Sequence, residues 1–253
     1  MRSALIWVLI GLLAVSCAAE ELTIAAASDL NFAMQEIAKK YHDATGNTLR
    51  VSYGSSGNFF VQIQNGAPFD LFFSADVSYP QKLEAAKVAE SGTLLKYAVG
   101  KIVLWIPNSS KLDLSKGIRV LADPAVKKIA IANPAHAPYG RAAEAALKKD
   151  GIYDQVKAKF VLGENISQTA QFVDTGNADV GILALSLALS PTMKSRGRYV
   201  EIPGDLYPAI EQGAVVIKSS SHKDAAKQFL QLLKRPEYQA IFKSYGFSAS
   251  AKR

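Results

Sequence analysis

Cysteine is almost absent from this sequence. The one cysteine, Cys17, lies in an N-terminal segment that we expect to be processed, so the body of the chain has no internal disulfide. Charged residues are also scarce, at 20% of 253 residues, whereas 49% are hydrophobic. This balance excludes a disordered chain and allows one large hydrophobic core or two smaller ones. A core rather than cross-links must therefore stabilise the fold.

The sequence also lacks the motifs of common enzyme classes. It contains no Walker loop, no His-Glu-x-x-His motif and no Cys-x-x-Cys motif. Its three histidines do not have the spacing of metal ligands: His42, His136 and His222. The turn at 54–57 follows a predicted strand, as a nucleophile elbow does, but Asn58 stands where the G-x-S-x-G motif requires its second glycine. We therefore predict a protein that is not an enzyme and has no cofactor, with a secreted hydrolase as an alternative.

Residues 1–19 have the organisation of a secretory signal peptide. Arg2 is their only charge, the run from Ala4 to Val15 is apolar, and small residues follow. That run is shorter than the roughly 20 residues that a membrane-spanning helix needs. We expect cleavage after Ala18 or Ala19 and a periplasmic location, with lipid anchoring at Cys17 as the alternative.

Positive charge exceeds negative charge, but it is not concentrated in any segment. The formal charge of +7 falls to +6 when Arg2 is removed, and the lysines and arginines are scattered along the chain. Such a surface suits an anionic ligand, although a solvated basic surface is the simpler interpretation. No segment resembles a nucleic-acid-binding module.

Short apolar runs alternate with runs of helical spacing, which is the pattern of α/β lobes with mostly parallel sheets. We predict strands at 22–27, 49–53, 69–75, 101–106, 128–132, 159–162, 180–184, 199–202 and 213–219, and helices between and after them. The late strand and the C-terminal helices suggest one lobe inserted into another. We predict lobe I at 20–103 and 207–253, and lobe II at 104–206. A ligand should bind in the cleft, beyond the carboxyl ends of the strands.

Four strand-to-helix junctions are rich in small or hydroxyl residues: Ala27-Ser28-Asp29, Gly54-Ser55-Ser56-Gly57, Ala137-Pro138-Tyr139-Gly140 and Glu164-Asn165-Ile166-Ser167. Each opens a helix, where backbone N–H groups lack intrahelical partners and the helix dipole favours an anion. Hydroxyls of Ser28 and of Ser55 or Ser56 add donors. A site made only of donors selects a fully ionised tetrahedral anion. The alternative is that these serines are only N-caps.

Three neighbours of these junctions have ambiguous roles. We expect Asp29 to cap the helix that follows rather than to act as a general base. Arg141 either neutralises ligand charge or points to solvent, and His136 either titrates near the cleft or lies on the surface. The carboxylates Asp70, Asp76 and Glu164 show no acid/base pairing.

The motifs together resemble the bacterial periplasmic molybdate-binding proteins over nearly the whole chain after residue 19. The resemblance rests on Ala25 to Ser28, Gly54 to Gly57, Gln62 to Asp76, Asn133 to Gly140, and Phe242 to Phe247. It implies an α/β type II periplasmic-binding-protein fold, two doubly wound lobes with a ligand cleft between them. It also implies binding of molybdate, and usually tungstate, for delivery to the membrane permease of an ABC importer.

The resemblance further implies a set of ligand-binding residues. Ser28 and Ser56 offer a hydroxyl and a backbone N–H, with Ser55 as the alternative to Ser56, while Tyr139 and Ile166 act through their backbone N–H. Molybdenum is then bound only as molybdate. Ala184 stands where many relatives have a tyrosine that contacts the oxyanion. Either this protein makes one hydrogen bond fewer, or another group replaces the tyrosine, with the Tyr139 hydroxyl as the nearest candidate. A protein of the same fold that binds a smaller oxyanion such as sulfate is the runner-up, and we expect a monomer.

Overall fold

The structure is a computed structural model that describes residues 19–250. The predicted signal peptide, apart from Ala19, and the lipidation alternative at Cys17 lie outside the described residues. None of the helices between residues 19 and 250 combines the length and apolar character that a membrane crossing requires.

Ten strands in this part of the chain form two five-stranded sheets. They are β1 (Glu21–Ala27), β2 (Thr48–Gly54), β3 (Leu71–Ser74), β4 (Leu95–Gly100), β5 (Ile102–Pro107), β6 (Ile129–Ala132), β7 (Phe160–Gly163), β8 (Val180–Ala184), β9 (Gly197–Glu201) and β10 (Ile210–Val216). The first sheet has the order β2-β1-β3-β10-β4, and the second has the order β7-β6-β8-β5-β9. The chain therefore leaves the first sheet after β4 and returns to it at β10.

Both sheets are mixed rather than purely parallel. In the first, β1 is parallel to β2 and β3, and β10 is antiparallel to β3 and β4. In the second, β6 is parallel to β7 and β8, and β5 is antiparallel to β8 and β9. The two halves are thus built alike. Strand β4 was not predicted, because Lys96 and Gly100 interrupt its apolar residues and its burial does not alternate regularly.

The helices fill the connections and cover the sheets. They are α1 (Asn31–Thr45), α2 (Ser56–Gln64), α3 (Ser78–Ala85), α4 (Pro138–Lys149), α5 (Tyr153–Val156), α6 (Ile166–Asp174), α7 (Leu185–Ala188), α8 (Pro191–Arg196), α9 (Lys223–Leu232) and α10 (Pro236–Ser244). Short 3-10 helices lie at Ser28–Leu30, Lys157–Lys159 and Gly204–Leu206, and Leu114–Ala122 contains two more on either side of a kink at Gly117. Proline opens α4, α8 and α10, where its missing N–H leaves no helical bond unmade. Gly46 ends α1 at a φ of 76°, a left-handed conformation that favours glycine.

Each sheet carries its own hydrophobic core. Along β1, Leu22 and Ile24 pack with Phe73 and Phe229 on one face. Ala25 packs on the other face, where Phe72 and Val215 also lie. A further cluster, which includes the fully buried Trp105, surrounds the second sheet and extends across the cleft to Ala27, Ala75 and Ile210 of the first lobe. Burial of each large apolar side chain stabilises a lobe by roughly 1.5–3 kcal/mol. Two lobes with separate cores can move relative to each other without either one unfolding.

Candidate functional site

A small cavity lies where strand ends of the first sheet meet the helix starts of the second. Six of the seven predicted site residues line it: Ser28, Asp29, Ser55, Ser56, Tyr139 and Ile166. The cavity has a volume of ≈ 10 Å³, about the space that one bound water needs. The seventh residue, Ala184, is fully buried at the end of β8 and is not among the lining residues.

Ser28 connects the two lobes through its hydroxyl and its carbonyl. It follows β1 directly and opens the 3-10 turn Ser28–Leu30. Its Oγ donates to Asn165 Oδ1 at 3.1 Å and accepts from the Ser167 amide at 3.2 Å, while Ser167 Oγ donates to the Ser28 carbonyl at 2.9 Å. No side chain caps this turn or α1. The N-cap alternative is therefore wrong for Ser28.

Ser55 and Ser56 have different partners. Ser55 is the N-cap of α2, where its Oγ accepts from the Asn58 amide at 3.4 Å and lies 2.9 Å from His136 Nδ1. Ser56 is fully buried, and its Oγ accepts from the Ala75 amide at 2.9 Å. That bond occupies a lone pair and leaves the Ser56 hydroxyl hydrogen to donate. Ser55 is thus a cap, whereas Ser56 is oriented as a donor.

Three helices begin at the cavity. Ser56 is the first residue of α2, Tyr139 the second of α4, and Ile166 the first of α6. Amides in the first turn of a helix have no intrahelical acceptor, and the dipole is positive there. The Asn165 side chain accepts from the amides of Ser167 and Gln168 and leaves that of Ile166 to other acceptors. No lysine or arginine is among the residues that line this cavity. Neutral donors therefore dominate its wall.

Asp29 is not a helix cap, contrary to prediction. Its side chain is 1% exposed, and its Oδ2 accepts from the Tyr139 hydroxyl at 2.9 Å and from Gln212 Nε2 at 2.6 Å. Burial raises the pKa of Asp29 from 3.8 to about 6, although hydrogen bonds from Gln212 and Tyr139 and the backbone amides of Asp29 and Leu30 lower it. The Tyr97 hydroxyl in turn donates to Gln212 Oε1 at 2.8 Å. The sequence did not predict a role for Gln212 or for Tyr97.

The Tyr139 hydroxyl does not replace the tyrosine missing at Ala184. It donates to Asp29 and accepts from Gln212 Nε2 at 3.1 Å. Burial and the neighbouring Asp29 raise the pKa of Tyr139 well above its usual value. Of the two alternatives for Ala184, these bonds count against the Tyr139 hydroxyl and leave one hydrogen bond fewer. The Tyr139 amide remains as its predicted contribution.

Further contacts hold the lobes against each other beside the cavity. The Gly57 amide donates to the His136 carbonyl at 3.0 Å. Arg141 pairs with Asp76 at 2.7 Å, so its charge is directed at that carboxylate rather than at solvent. His136 Nε2 lies 3.6 Å from Glu164 Oε2. These contacts describe a closed arrangement of the cleft.

The residues gathered here fit an anion better than a cation. Between residues 19 and 250, no group of three or more His, Cys, Asp or Glu side chains is placed to hold a metal ion. Three helix starts and a free hydroxyl instead converge on one small volume.

Known proteins share both the sequence and the architecture. A family model described as bacterial extracellular solute-binding protein matches residues 22–248. The molybdate-binding protein ModA of Azotobacter vinelandii is 40% identical over 237 residues, which cover 94% of this chain and 93% of that protein. ModA of Rhodobacter capsulatus is 40% identical over 235 residues, 93% of this chain and 91% of that protein. The solved periplasmic molybdate-binding protein of A. vinelandii has a TM-score of 0.86 and 34% identity, covering 91% of this chain and 100% of its own.

These comparisons confirm several predictions from the sequence. The type II periplasmic-binding-protein fold is confirmed by the structural match across nearly the whole described chain. The family consists of binding proteins rather than enzymes and acts outside the cytoplasm, in agreement with the predicted lack of catalysis and the predicted location. The chain is a bacterial extracellular solute-binding protein, in the group of that family to which the molybdate-binding proteins of A. vinelandii and R. capsulatus belong.

Proposed function

We propose that this protein binds molybdate, and tungstate as well, in the cavity between its lobes, which widens from the space of one water to admit the ion, and delivers the ion to the permease of an ABC importer. The observation that carries the proposal is the convergence of three helix N-termini and the Ser56 hydroxyl on one buried cavity without a lining cation. The identity of 40% to two molybdate-binding proteins supports this choice of ion.

The proposed ligand contacts are Ser28 and Ser56, through hydroxyl and amide, and the amides of Tyr139 and Ile166. A hydrogen bond to a charged group contributes roughly 1.5–3 kcal/mol net, so half a dozen offset the desolvation of a dianion. The Ser28 hydroxyl, which donates to Asn165 Oδ1 in this structure, turns to the ion on binding. Ser55 acts as a cap and a contact between lobes, and Ala184 supports β8 without touching the ion.

Transport requires that the ion changes the balance between open and closed cleft. The ion binds the closed form more strongly, because donors from both lobes surround it only there. We take lobe I as 20–103 and 207–253 and lobe II as 104–206, except that Ile102 and Val103 begin β5 of the second sheet and so belong with lobe II. The lobes move as two bodies in a monomer. The permease then recognises the closed, loaded form.

Calorimetric titration of the ligand-free protein with molybdate, tungstate, sulfate and phosphate tests the proposal. Tight binding of the first two ions at one site, with the others weak, is the expected result. Ser56→Ala removes one charge-assisted bond and weakens binding by about 10- to 150-fold, since each contributes roughly 1.5–3 kcal/mol. Ser55→Ala removes a contact between lobes and weakens ion binding by less than about tenfold. Ser109→Ala, on the exposed surface, is the matched control and leaves the affinity unchanged. Failure of all four ions to bind refutes the proposal.

A further inference from the structure

The carboxylate of Asp29 is incompletely hydrogen-bonded on the wall of the cavity. Its Oδ2 accepts two hydrogen bonds, whereas its Oδ1 has no partner among residues 19–250. A buried carboxylate oxygen without a donor is unfavourable and rare in native proteins. Because Asp29 lines the proposed ion site, the missing partner of Oδ1 is to be sought there.

The hydrogen bonds around Asp29 determine which of its two carboxylate oxygens can carry a proton. The Tyr97 hydroxyl lies 2.8 Å from Gln212 Oε1 and 3.3 Å from the Ser74 carbonyl oxygen, so we assign its hydrogen to the shorter contact. Gln212 Nε2 then faces Asp29 and donates to its Oδ2. The Tyr139 hydroxyl accepts from the same Nε2 and therefore directs its own hydrogen to Oδ2. Both side-chain donors of this network point at Oδ2. The backbone amides of Asp29 and Leu30 lower the pKa of the carboxyl but form no hydrogen bond of good geometry with Oδ1. A proton on Asp29 then resides on Oδ1.

An ionised Asp29 is incompatible with a dianion in the same cavity. Two like charges in a buried, poorly hydrated space repel strongly. A protonated Oδ1 removes this repulsion and also turns an unpartnered acceptor into a donor. A single proton on Asp29 therefore removes both the repulsion from the dianion and the unpartnered acceptor.

We propose that Asp29 takes up one proton as the oxyanion binds and donates a hydrogen bond to the ion through Oδ1, so that ion binding and proton uptake are coupled. The inference rests on the proposed function. The carboxylate, one proton from solvent and the dianion combine into a complex whose ligand remains fully ionised. Asp29 is then a specificity-determining residue as well as a ligand.

The electrostatic environment of Asp29 favours this behaviour. Burial already raises its pKa to about 6 without a ligand, so a neighbouring dianion raises it further. The titratable groups that face it are the phenols of Tyr139 and Tyr97, and burial raises the pKa of both well above the usual value. They stay neutral throughout the range in which Asp29 titrates.

Other titratable groups nearby do not supply the proton. The turn of Asp29 also packs against β2, α1, α6 and α7. Charged residues of these elements are exposed or paired: Glu36, Lys39, Lys40, His42, Asp43 and Arg50 are exposed, and Asp174 pairs with Arg196. Their tyrosines are Tyr41, buried in the core, and Tyr53, whose pKa burial raises to about 12. On α4 and β10, Arg141 pairs with Asp76 and Glu211 pairs with Lys96.

Titration calorimetry with molybdate in buffers of different ionisation heat, from about pH 6 to about pH 9, measures the proton uptake directly. We expect close to one proton per ion at about pH 8 and an apparent Kd that rises up to about tenfold per pH unit above about pH 7. Asp29→Asn keeps an acceptor for Tyr139 and Gln212 and places an N–H₂ donor at the position of Oδ1. We expect molybdate binding by Asp29→Asn to take up no proton and to be independent of pH.

Two control variants test whether a group other than Asp29 takes up the proton on ion binding. Glu164→Gln and His136→Gln remove the other titratable groups beside the cleft, and both variants keep the proton uptake whatever their affinity. An infrared difference spectrum of the wild type on binding shows a protonated carboxyl band that Asp29→Asn lacks.

The outcomes distinguish this inference from the proposed function. Molybdate binding with no proton uptake and a flat pH profile overturns the coupling alone. Loss of uptake in His136→Gln with retention in Asp29→Asn does the same. Tighter binding of a monohydrogen anion such as phosphate, dependent on Asp29, means that Asp29 stays ionised as an acceptor. Absence of molybdate binding at every pH overturns both.

Discussion

Replacing Gly57 by alanine should block closure of the cleft without unfolding either lobe. A Cβ at this position would lie 2.5 Å from the carbonyl oxygen of His136 and 2.9 Å from its Cα and Cβ. These atoms belong to the opposite lobe, and two of the three are backbone, so they cannot move aside as a flexible side chain does. The clash exists only when the lobes are closed.

The expected magnitude follows from two losses in the closed state. Overpacking costs about 1–3 kcal/mol, and the hydrogen bond from the Gly57 amide to the His136 carbonyl, 3.0 Å long, contributes about 0.5–1.5 kcal/mol. Because about 1.4 kcal/mol corresponds to a tenfold change, Gly57→Ala should weaken molybdate binding by at least about tenfold. Gly57 lies in the first turn of α2, where alanine favours the helix by up to about 1 kcal/mol. The ligand-free variant should therefore melt at the wild-type temperature or slightly above it.

Calorimetry gives the affinity, and small-angle X-ray scattering shows whether the protein contracts on adding molybdate. The wild type should contract and Gly57→Ala should not. Gly204→Ala is the matched control, since its Cβ would meet no atom within 4 Å. Wild-type affinity and full contraction of Gly57→Ala would refute the reasoning, and so would a markedly lower melting temperature of the ligand-free variant.

Three further predictions concern stability and closure. The pKa of Asp29 is raised from 3.8 to about 6, so its contribution to stability is present below about pH 4 and is lost as pH rises through about 6. Asp29→Asn should thus raise the free energy of unfolding of the ligand-free protein at about pH 8 by up to about 3 kcal/mol, and change it little at about pH 4, in urea denaturation; equal effects at both pH values would contradict this. Arg141→Lys loses the contact with the Tyr79 hydroxyl but keeps a charge for the partly exposed Asp76, so the affinity should fall by less than about fivefold; a larger loss in calorimetry would place Arg141 on the ion. Asn165→Ala removes the N-cap of α6 and should lower the free energy of unfolding by about 0.5–2 kcal/mol in the same denaturation assay, whereas no change would argue against that cap.

The sequence predicted most of the elements that position the site. Apolar runs and helix signals located β1, α2, α4 and α6, since their chemistry is local: Pro138 opens α4, and Asn165 caps α6. Because parallel strands bring their carboxyl ends to one edge, the four junctions were expected to converge, and six of the seven predicted residues line one cavity. Their role in binding stays a prediction.

The interactions between lobes could not be predicted in this way. Asp29 was expected to cap a helix because local statistics favour that role, but Tyr139 and Gln212 lie 110 and 183 residues away along the chain. Gln212 carried one usable signal, an uncharged polar residue directly before the apolar run Gly213 to Val216. The strand begins at Ile210 rather than at 213, because residues 210–212 pair with β4, which was not predicted. The buried Gln212 side chain is satisfied by Asp29 and Tyr97. Long-range partners of this kind are set by packing.

The central proposal is that an oxyanion is held between Ser28, Ser56 and the starts of α4 and α6. Anomalous diffraction from crystals of the protein grown with molybdate, recorded at the molybdenum absorption edge, locates the metal directly. We predict one strong peak per chain in the cavity, with oxygen atoms within about 3 Å of Ser56 Oγ and of the Tyr139 and Ile166 amides. A peak only in the larger cleft beside Arg141 and Glu211, which has a volume of ≈ 380 Å³, or no peak at saturating molybdate, would contradict it.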